Sequence, residues 1–335
     1  MKELRKIITY TILSIVVVFL VLSLFSIREK PEKIEYGSSF NALYARELGL
    51  DPEEVFLSIL DDLGVRKLRL ASHWSMVEPV RDQFDFSELD FQVKEAGLRG
   101  AEIILGVGRQ LPRWPECHVP EWAQTLPWEE QKEEIKELIT TVVLRYKDTD
   151  AIVLWQVENE PFLDIFAREH CGELDEAFLH EEIALVKELD PTRGILVSDS
   201  GNLGTWAGAY KAGDVFGTSV YVYFWNSEIG PFKSILPPAY YRIKSNVMWL
   251  LYGKKPTLLI ELSAEPWLLQ PVVDTPIETQ LERMNIEKFE EIILFGEQTR
   301  FDTQYLWGAE WWYWLKEQGE ESFWLRAQKL FGEEE

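Results

Sequence analysis

Between Ile34 and the end of the chain, one pattern recurs eight times: a short apolar run gives way to a segment with helical periodicity. IEYGSSF, VRKLRLAS, AEIILGVG, AIVLWQVENE, RGILVSDS, DVFGTSVYVY, KPTLLIEL and FDTQYLWGAEWW read as strands. Helical segments separate them. DPEEVFLSILDDLG places Asp51 at an N-cap and Pro52 at the first helical position. FSELDFQVKEAG, PWEEQKEEIKELITTVVLRY and ELDEAFLHEEIALVKELD follow, then a poor helix around Thr205–Gly213, then PPAYYRIKSNVMWLLYG and IETQLERMNIEKFEEIILFG, with ESFWLRAQKLF last. Strands alternating with helices imply a parallel sheet. Eight units in about 300 residues fit a (β/α)8 barrel, the fold class expected here for residues 36–335. A doubly wound open sheet is the alternative. It would carry a Gly-rich phosphate loop after an early strand, and GVGRQLP is not one.

The barrel is preceded by a segment of another kind. Residues 1–6 carry Lys2, Arg5 and Lys6, and an apolar run, with only Thr, Ser and Tyr as polar interruptions, then extends from Ile7 to Ile27. Those 21 residues (27 − 7 + 1) contain no charge. At about 1.5 Å each they reach roughly 31 Å, the thickness of a bilayer's hydrocarbon core. Residues 7–27 are therefore expected to form a transmembrane helix holding the chain in a lipid bilayer, with 28–35 as a charged tether. A cleaved secretory signal is the rival reading. Arg28, Lys30 and Lys33 follow the run, so the flanking charge is nearly level. The chemistry below places the large domain outside the cell membrane, either on a single-pass anchor or secreted. A formal net charge of -23 excludes nucleic acid as a natural partner, because phosphate binding needs a basic surface.

In a (β/α)8 barrel the active site sits at the C-terminal ends of the strands, and the unusual residues of this chain fall there. Strand two carries Arg69 and runs on to His73 and Trp74. Strand four ends in Asn159-Glu160. Strand six ends in Tyr221-Val222-Tyr223, and strand seven in Glu261. Strand eight runs into Trp307, Glu310, Trp311 and Trp312. Strands four and seven lie roughly opposite in an eight-strand ring, so Glu160 and Glu261 approach one point from two sides. Two such carboxyls can divide the work on a glycosidic bond: one protonates the leaving oxygen, the other attacks the anomeric carbon or activates water. Glu265 is the rival to Glu261, and Glu158 is read as structural.

These residues carry a resemblance. NEP after strand four and a Glu closing strand seven look like the clan A glycoside hydrolases, the superfamily of cellulases, β-mannanases, β-galactosidases and many xylanases. HWSMVEPVRDQFDFSELD is similar to the stretch after strand two in the β-galactosidase and xylanase branches. The resemblance implies retaining cleavage of β-linked oligo- or polysaccharides without a cofactor. It gives Glu160 the acid/base role, Glu261 the nucleophile role, Arg69 the steadying of the nucleophile and Asn159 a hydrogen bond to the sugar 2-hydroxyl. Trp307 would floor the reacting sugar's subsite. The clan's strand-six pattern is His-x-Tyr, and here only Tyr223 carries over. His73, Trp74 and Trp311 are further candidates for substrate contact. A catalytically decayed carbohydrate-binding barrel at the cell surface is the second reading. Metal-dependent hydrolysis is disfavoured, since the chain has four His and neither HxH nor HExxH.

Cys117-His118 and His170-Cys171 form a mirrored pair in neighbouring loops. A disulfide, two free thiols and a zinc site are the three states open to them, the disulfide being favoured outside the cytosol. The 14 Trp are divided between a ring-rich core and stacking surfaces for sugars.

Overall fold

The computed structural model describes residues 29–332 apart from 164–167, 169, 173, 227 and 269, with a few isolated positions before residue 24. Eight parallel strands close into a barrel: β1 (Glu35–Ser39), β2 (Lys67–Ala71), β3 (Glu102–Val107), β4 (Ile152–Val157), β5 (Gly194–Asp199), β6 (Val215–Val220), β9 (Thr257–Ser263) and β10 (Thr303–Trp307). The ring runs in chain order and shuts where β1 pairs with β10, Glu35 lying opposite Thr303. Closure rules out the open doubly wound sheet. Between β6 and β9 an antiparallel hairpin, β7 (Tyr223–Asn226) with β8 (Gly230–Lys233), stands apart from the barrel.

Alternation along the strands sorts side chains into two cores. Ile103, Leu105 and Val107 of β3 face the surrounding helices, while Ile104 joins Leu196, Val215, Ile260 and Tyr305 inside the barrel. The helices answer with apolar stripes. In the helix Trp128–Tyr146, Ile135, Leu138, Ile139, Val142, Val143 and Tyr146 are buried, at the three- and four-residue spacing of one helical face. The first long helix, Pro52–Asp61, starts as its sequence suggests, with Asp51 Oδ1 accepting from Glu53 N at 2.9 Å. Trp74, Trp155, Trp206, Trp311, Trp312 and Trp324 are all fully buried, so much of the tryptophan excess fills core.

Two strands stop sooner than the sequence suggests. β6 ends at Val220, because Asn202 takes up the next peptide: its Oδ1 accepts from Tyr221 N and its Nδ2 donates to Tyr221 O, both at 3.0 Å. Tyr223 therefore opens the hairpin instead of closing the sixth barrel strand. β10 ends at Trp307. Gly308, at φ +125°, turns the chain into the helix Ala309–Glu317, so Glu310, Trp311 and Trp312 are helical.

The apolar run of residues 7–27 lies outside the described residues but for isolated positions. Among the described residues no helix is long and apolar enough to cross a membrane.

Candidate active site

Arg69 lies at the centre of the barrel mouth. Its neighbours Leu68 and Leu70 face outward, so alternation sends the guanidinium inward. There it bonds three elements at once: Nε donates to Gln156 Oε1 at 2.9 Å, Nη1 to Glu261 Oε2 at 2.8 Å and Nη2 to Asn159 Oδ1 at 2.7 Å. Arg69 is only 2% exposed. Guanidinium suits this place because its fork of donors is planar and permanently charged.

Glu261 reaches the lumen through a bulge. β9 has Leu259 opposite Thr218 and Glu261 opposite Ser219, one residue more than its partner, and β10 meets the same irregularity. Ile260 and Glu261 consequently both face inward, where strict alternation would admit only one. The Tyr221 hydroxyl donates to the other carboxylate oxygen, Oε1. Glu261 thus has a cation on one oxygen and a phenol on the other.

Glu160 follows a kinked strand end. Glu158 and Glu160, two residues apart, would share a face in an unbroken strand. Both adopt left-handed backbone, at φ +56° and +45°, and their side chains part company. Glu158 turns outward and accepts from the backbone amides of Arg109 and Gln110 at 2.6 Å each. Glu160 stays at the mouth. Its amide donates to Ser198 Oγ at 3.0 Å, and that hydroxyl donates to Asn159 Oδ1 at 3.2 Å. Asn159 Oδ1 is therefore committed to protein donors, and Asn159 Nδ2 makes no hydrogen bond among the described residues. Burial, then the charges of Glu261 and Glu116, push the Glu160 carboxyl well above the usual carboxylate range; a Ser219 hydroxyl offsets this only in part. Glu160 Oε1 is buried, with no hydrogen-bond partner among the described residues. A neutral carboxylic acid facing an ion-paired carboxylate is the division of labour that glycosidic cleavage needs.

The mouth holds a third carboxyl that sequence reasoning did not single out. Glu116 lies in the loop after β3, where Gln110 Nε2 donates to its Oε2 at 3.0 Å and also to Asn159 O at 2.8 Å. Burial and the charge of Glu261 raise the Glu116 carboxyl to about 8. Nothing local in PRWPECH marks it, because its place comes from the fold of the loop.

The other expected residues take the following places. The ring of Trp74 is fully buried, donates to Glu78 Oε2 at 2.9 Å and meets Trp122 edge-on. Trp311 is fully buried on its helix, donating to Gln280 Oε1 at 2.7 Å and packed on Phe323. His73 is 4% exposed, with Nε2 at 3.0 Å from Pro112 O and its ring edge-on to His118. Burial and His118 depress its imidazole to about 3, so it stays neutral and props the loop after β3. The Tyr223 hydroxyl donates to Glu291, on the helix Ile286–Thr299. Tyr221, not Tyr223, is the tyrosine on Glu261. The rival Glu265 forms a separate pair with Arg113, at 2.7 Å, and accepts from Trp307 Nε1 at 2.8 Å. Arg113 lies over the Tyr44 ring at 3.1 Å and near that of Trp307 at 5.4 Å, which places Trp307 on this second cluster at the rim. Cys117 and Cys171 form a disulfide, with Cα atoms 5.4 Å apart, tying the loops after β3 and β4. That corrects the zinc alternative: both thiols are consumed, His118 bonds Arg113 O, and among the described residues no group of His, Cys, Asp and Glu could hold a metal.

Comparison with known proteins adds to this geometry. The model of the family Glyco_hydro_42, described as beta-galactosidase, matches residues 54–254. Beta-galactosidase BgaA of Clostridium cellulovorans is 23% identical over 172 residues, 46% of this chain and 25% of that protein. Beta-galactosidase Bga of Halorubrum lacusprofundi is 23% identical over 200 residues, 54% of this chain and 25% of that one. The chain thus spans about a quarter of the length of these curated relatives. Among solved structures, GH5_18 from Bifidobacterium longum subsp. longum superposes with a TM-score of 0.59 at 15% identity, covering 82% of this chain and 70% of that one. That likeness is one of fold.

Proposed function

The chain belongs to the beta-galactosidase family Glyco_hydro_42, a family of clan A (β/α)8 glycoside hydrolases, and from that premise we propose that it hydrolyses β-linked glycans, β-galactosides first among them, with retention of configuration. The observation that carries this reading is the pairing at the mouth. Glu160 has a raised carboxyl and a bare, buried Oε1, and it faces a Glu261 held between Arg69 and Tyr221.

In the first step a Glu261 oxygen attacks the anomeric carbon. The glycosidic C–O bond breaks as Glu160 passes its proton to the departing oxygen, leaving a glycosyl ester on Glu261 and a carboxylate on Glu160. Arg69 and Tyr221 hold Glu261 in line. Asn159, whose Oδ1 is occupied, presents its Nδ2 to the sugar 2-hydroxyl. In the second step Glu160 takes a proton from water, the water oxygen attacks the anomeric carbon and the ester breaks. Glu160 is thereby reprotonated and Glu261 released. No cofactor enters either step.

Proton NMR of the first-formed sugar from an aryl β-galactoside tests the reading. A β-anomer is expected. An α-anomer would replace retention by inversion, and binding of glycans without cleavage would leave only a lectin-like role.

We place the apolar run of residues 7–27 in the cell membrane as a single-pass anchor with the barrel outside. The Cys117–Cys171 disulfide supports that side of the membrane, since such bonds persist in oxidising compartments. N-terminal sequencing of the membrane fraction tests it; a mature start near Tyr36 would mean a cleaved signal instead.

A further inference from the structure

The hairpin β7–β8 and the loop after β9 enclose a cleft of about 180 Å³ beside the barrel mouth. An apolar cavity of roughly 150 Å³ takes a benzene-sized ring, so this one has room for a single sugar ring. Its walls are of two kinds. One is aromatic. Phe224 lies nearly parallel to Phe232, with centroids 5.4 Å apart, and 5.7 Å from Trp267. Flat apolar rings suit the C–H face of a pyranose.

The other wall is cationic, in a chain whose net charge is -23. Lys233 already has a carboxylate, Glu291, which also takes the Tyr223 hydroxyl. Among the described residues Lys288 has none. There its Nζ reaches only the carbonyl oxygens of Glu282 and Arg283, at 2.7 and 3.0 Å, and stands 5.1 Å from the Tyr223 ring. Burial and the neighbouring Arg283 hold its ammonium below the usual lysine range. The Arg283 guanidinium makes no hydrogen bond or ion pair among the described residues. Glu282 and Glu287 are exposed and pair with neither cation. Two mutually repelling cations at one cleft, one of them a vacant fork of donors, match a planar or tetrahedral oxyanion.

The cleft is one residue from the chemistry. Tyr221, whose hydroxyl holds Glu261, packs edge-on against Trp267 at 5.5 Å and lies 5.9 Å from Phe224. We propose that this cleft is a distal subsite for an anionic sugar residue, with Trp267 and Phe224 stacking on the ring and Arg283 and Lys288 binding its carboxylate or sulfate. The proposal rests on the glycan-cleaving reading only in joining this residue to the chain cut at Glu160 and Glu261.

Binding, measured apart from cleavage, tests it. Calorimetric titrations of the wild-type protein would use the 1-thio analogues of methyl β-glucuronide, of the 6-sulfate of methyl β-galactoside, and of neutral methyl β-galactoside, whose C–S bonds resist acid-assisted cleavage. At least one anionic probe should bind about tenfold more tightly than the neutral one, the worth of a single charge-assisted hydrogen bond. Which one does identifies the anion. Arg283→Gln should abolish the difference, Lys288→Gln should reduce it, and Trp267→Ala should weaken both anionic probes. Glu160→Gln should leave it unchanged, so failure of catalysis and failure of this site are separable. Equal affinity for all three probes, or an unaltered preference in Arg283→Gln, would overturn the proposal.

Discussion

The barrel mouth contains two Arg–Glu pairs that look alike and are built for different ends. Arg69–Glu261 closes at 2.8 Å and Arg113–Glu265 at 2.7 Å. Arg69 and Glu261 both project from barrel strands, and the arginine is locked to β4 and the Asn159 turn by two further hydrogen bonds. Arg113 and Glu265 both sit on loops, and the arginine is braced by the faces of Tyr44 and Trp307. The decisive difference is company. Glu261 has Glu160 and Glu116 close enough to raise their carboxyls, whereas the Glu265 cluster acts in this way on Tyr44 and Glu310. A pair on the sheet with acids beside it is equipped for chemistry. A pair between loops joins the rim. What an ion pair does is set by what surrounds it, not by its own geometry.

The sharpest way to break this comparison is to remove the two glutamates in turn. Glu261→Ala should lose about 10⁴-fold or more in kcat on aryl and natural glycosides alike, as loss of one member of a catalytic unit does. Glu265→Ala should keep the chemistry. Reversal of that order in steady-state assays would move the nucleophile to the rim pair. Next in size, Glu160→Ala should cost about 10²–10⁴-fold on natural glycans. With activated aryl leaving groups, which need no proton, the first step should suffer far less, and azide should return a glycosyl azide of retained configuration. Absence of that product would remove Glu160 from the acid/base role.

Cutting the arginines sharpens the contrast in stability. Arg69→Met leaves Glu261 buried without its cation and should cost about 3–5 kcal/mol in denaturant unfolding, with kcat falling as well. Arg113→Met should cost less, since its pair is more exposed, and should leave kcat in place. Equal kinetic losses would erase the distinction. Reducing the disulfide frees a loop of 54 residues and should cost about 4 kcal/mol on the chain-entropy model. Thiol titration of the denatured, unreduced protein should find no free cysteine.

The last expected effect is a slope. The carboxyls of Glu116, raised to about 8, and Glu310, raised to about 7, stay protonated in the folded chain where the unfolded chain has released its protons. The stability they add is complete below the ordinary carboxylate range and is lost as pH rises through those values. Unfolding midpoints should therefore decline between about pH 5 and pH 8. Glu116→Gln and Glu310→Gln, neutral throughout, should flatten the decline, and an unchanged slope would deny the two carboxyls this part.

Sequence made the barrel legible because alternation and helical spacing are local signals. Arg69, Asn159, Glu160 and Glu261 were visible too, as polar residues in or just after apolar strands. What escaped depended on long-range contact. The bulge that turns Glu261 inward leaves no mark in PTLLIEL. Asn202 ends β6 early, so a pattern pointing at Tyr223 missed Tyr221. Gly308 turned an apparent strand extension into a helix and carried Trp311 into the core. Glu116 and Arg113 belong to a loop whose course is set by Gln110 bonding Asn159 O, by His73 at Pro112 O and by the disulfide to Cys171, contacts to other strands' loops that no local pattern marks.

Closing the barrel also decides where this molecule can meet another strand. Every barrel strand has a neighbour on both sides, so none offers a free row of amides and carbonyls. Among the described residues no other strand pairs with the hairpin β7–β8, and on it and beside it Phe232, Ile229 and Ile235 are 39%, 69% and 95% exposed. Self-association in concentrated solution has its natural starting point there, at a ribbon where Lys233, an edge charge of the kind that discourages added strands, stands guard.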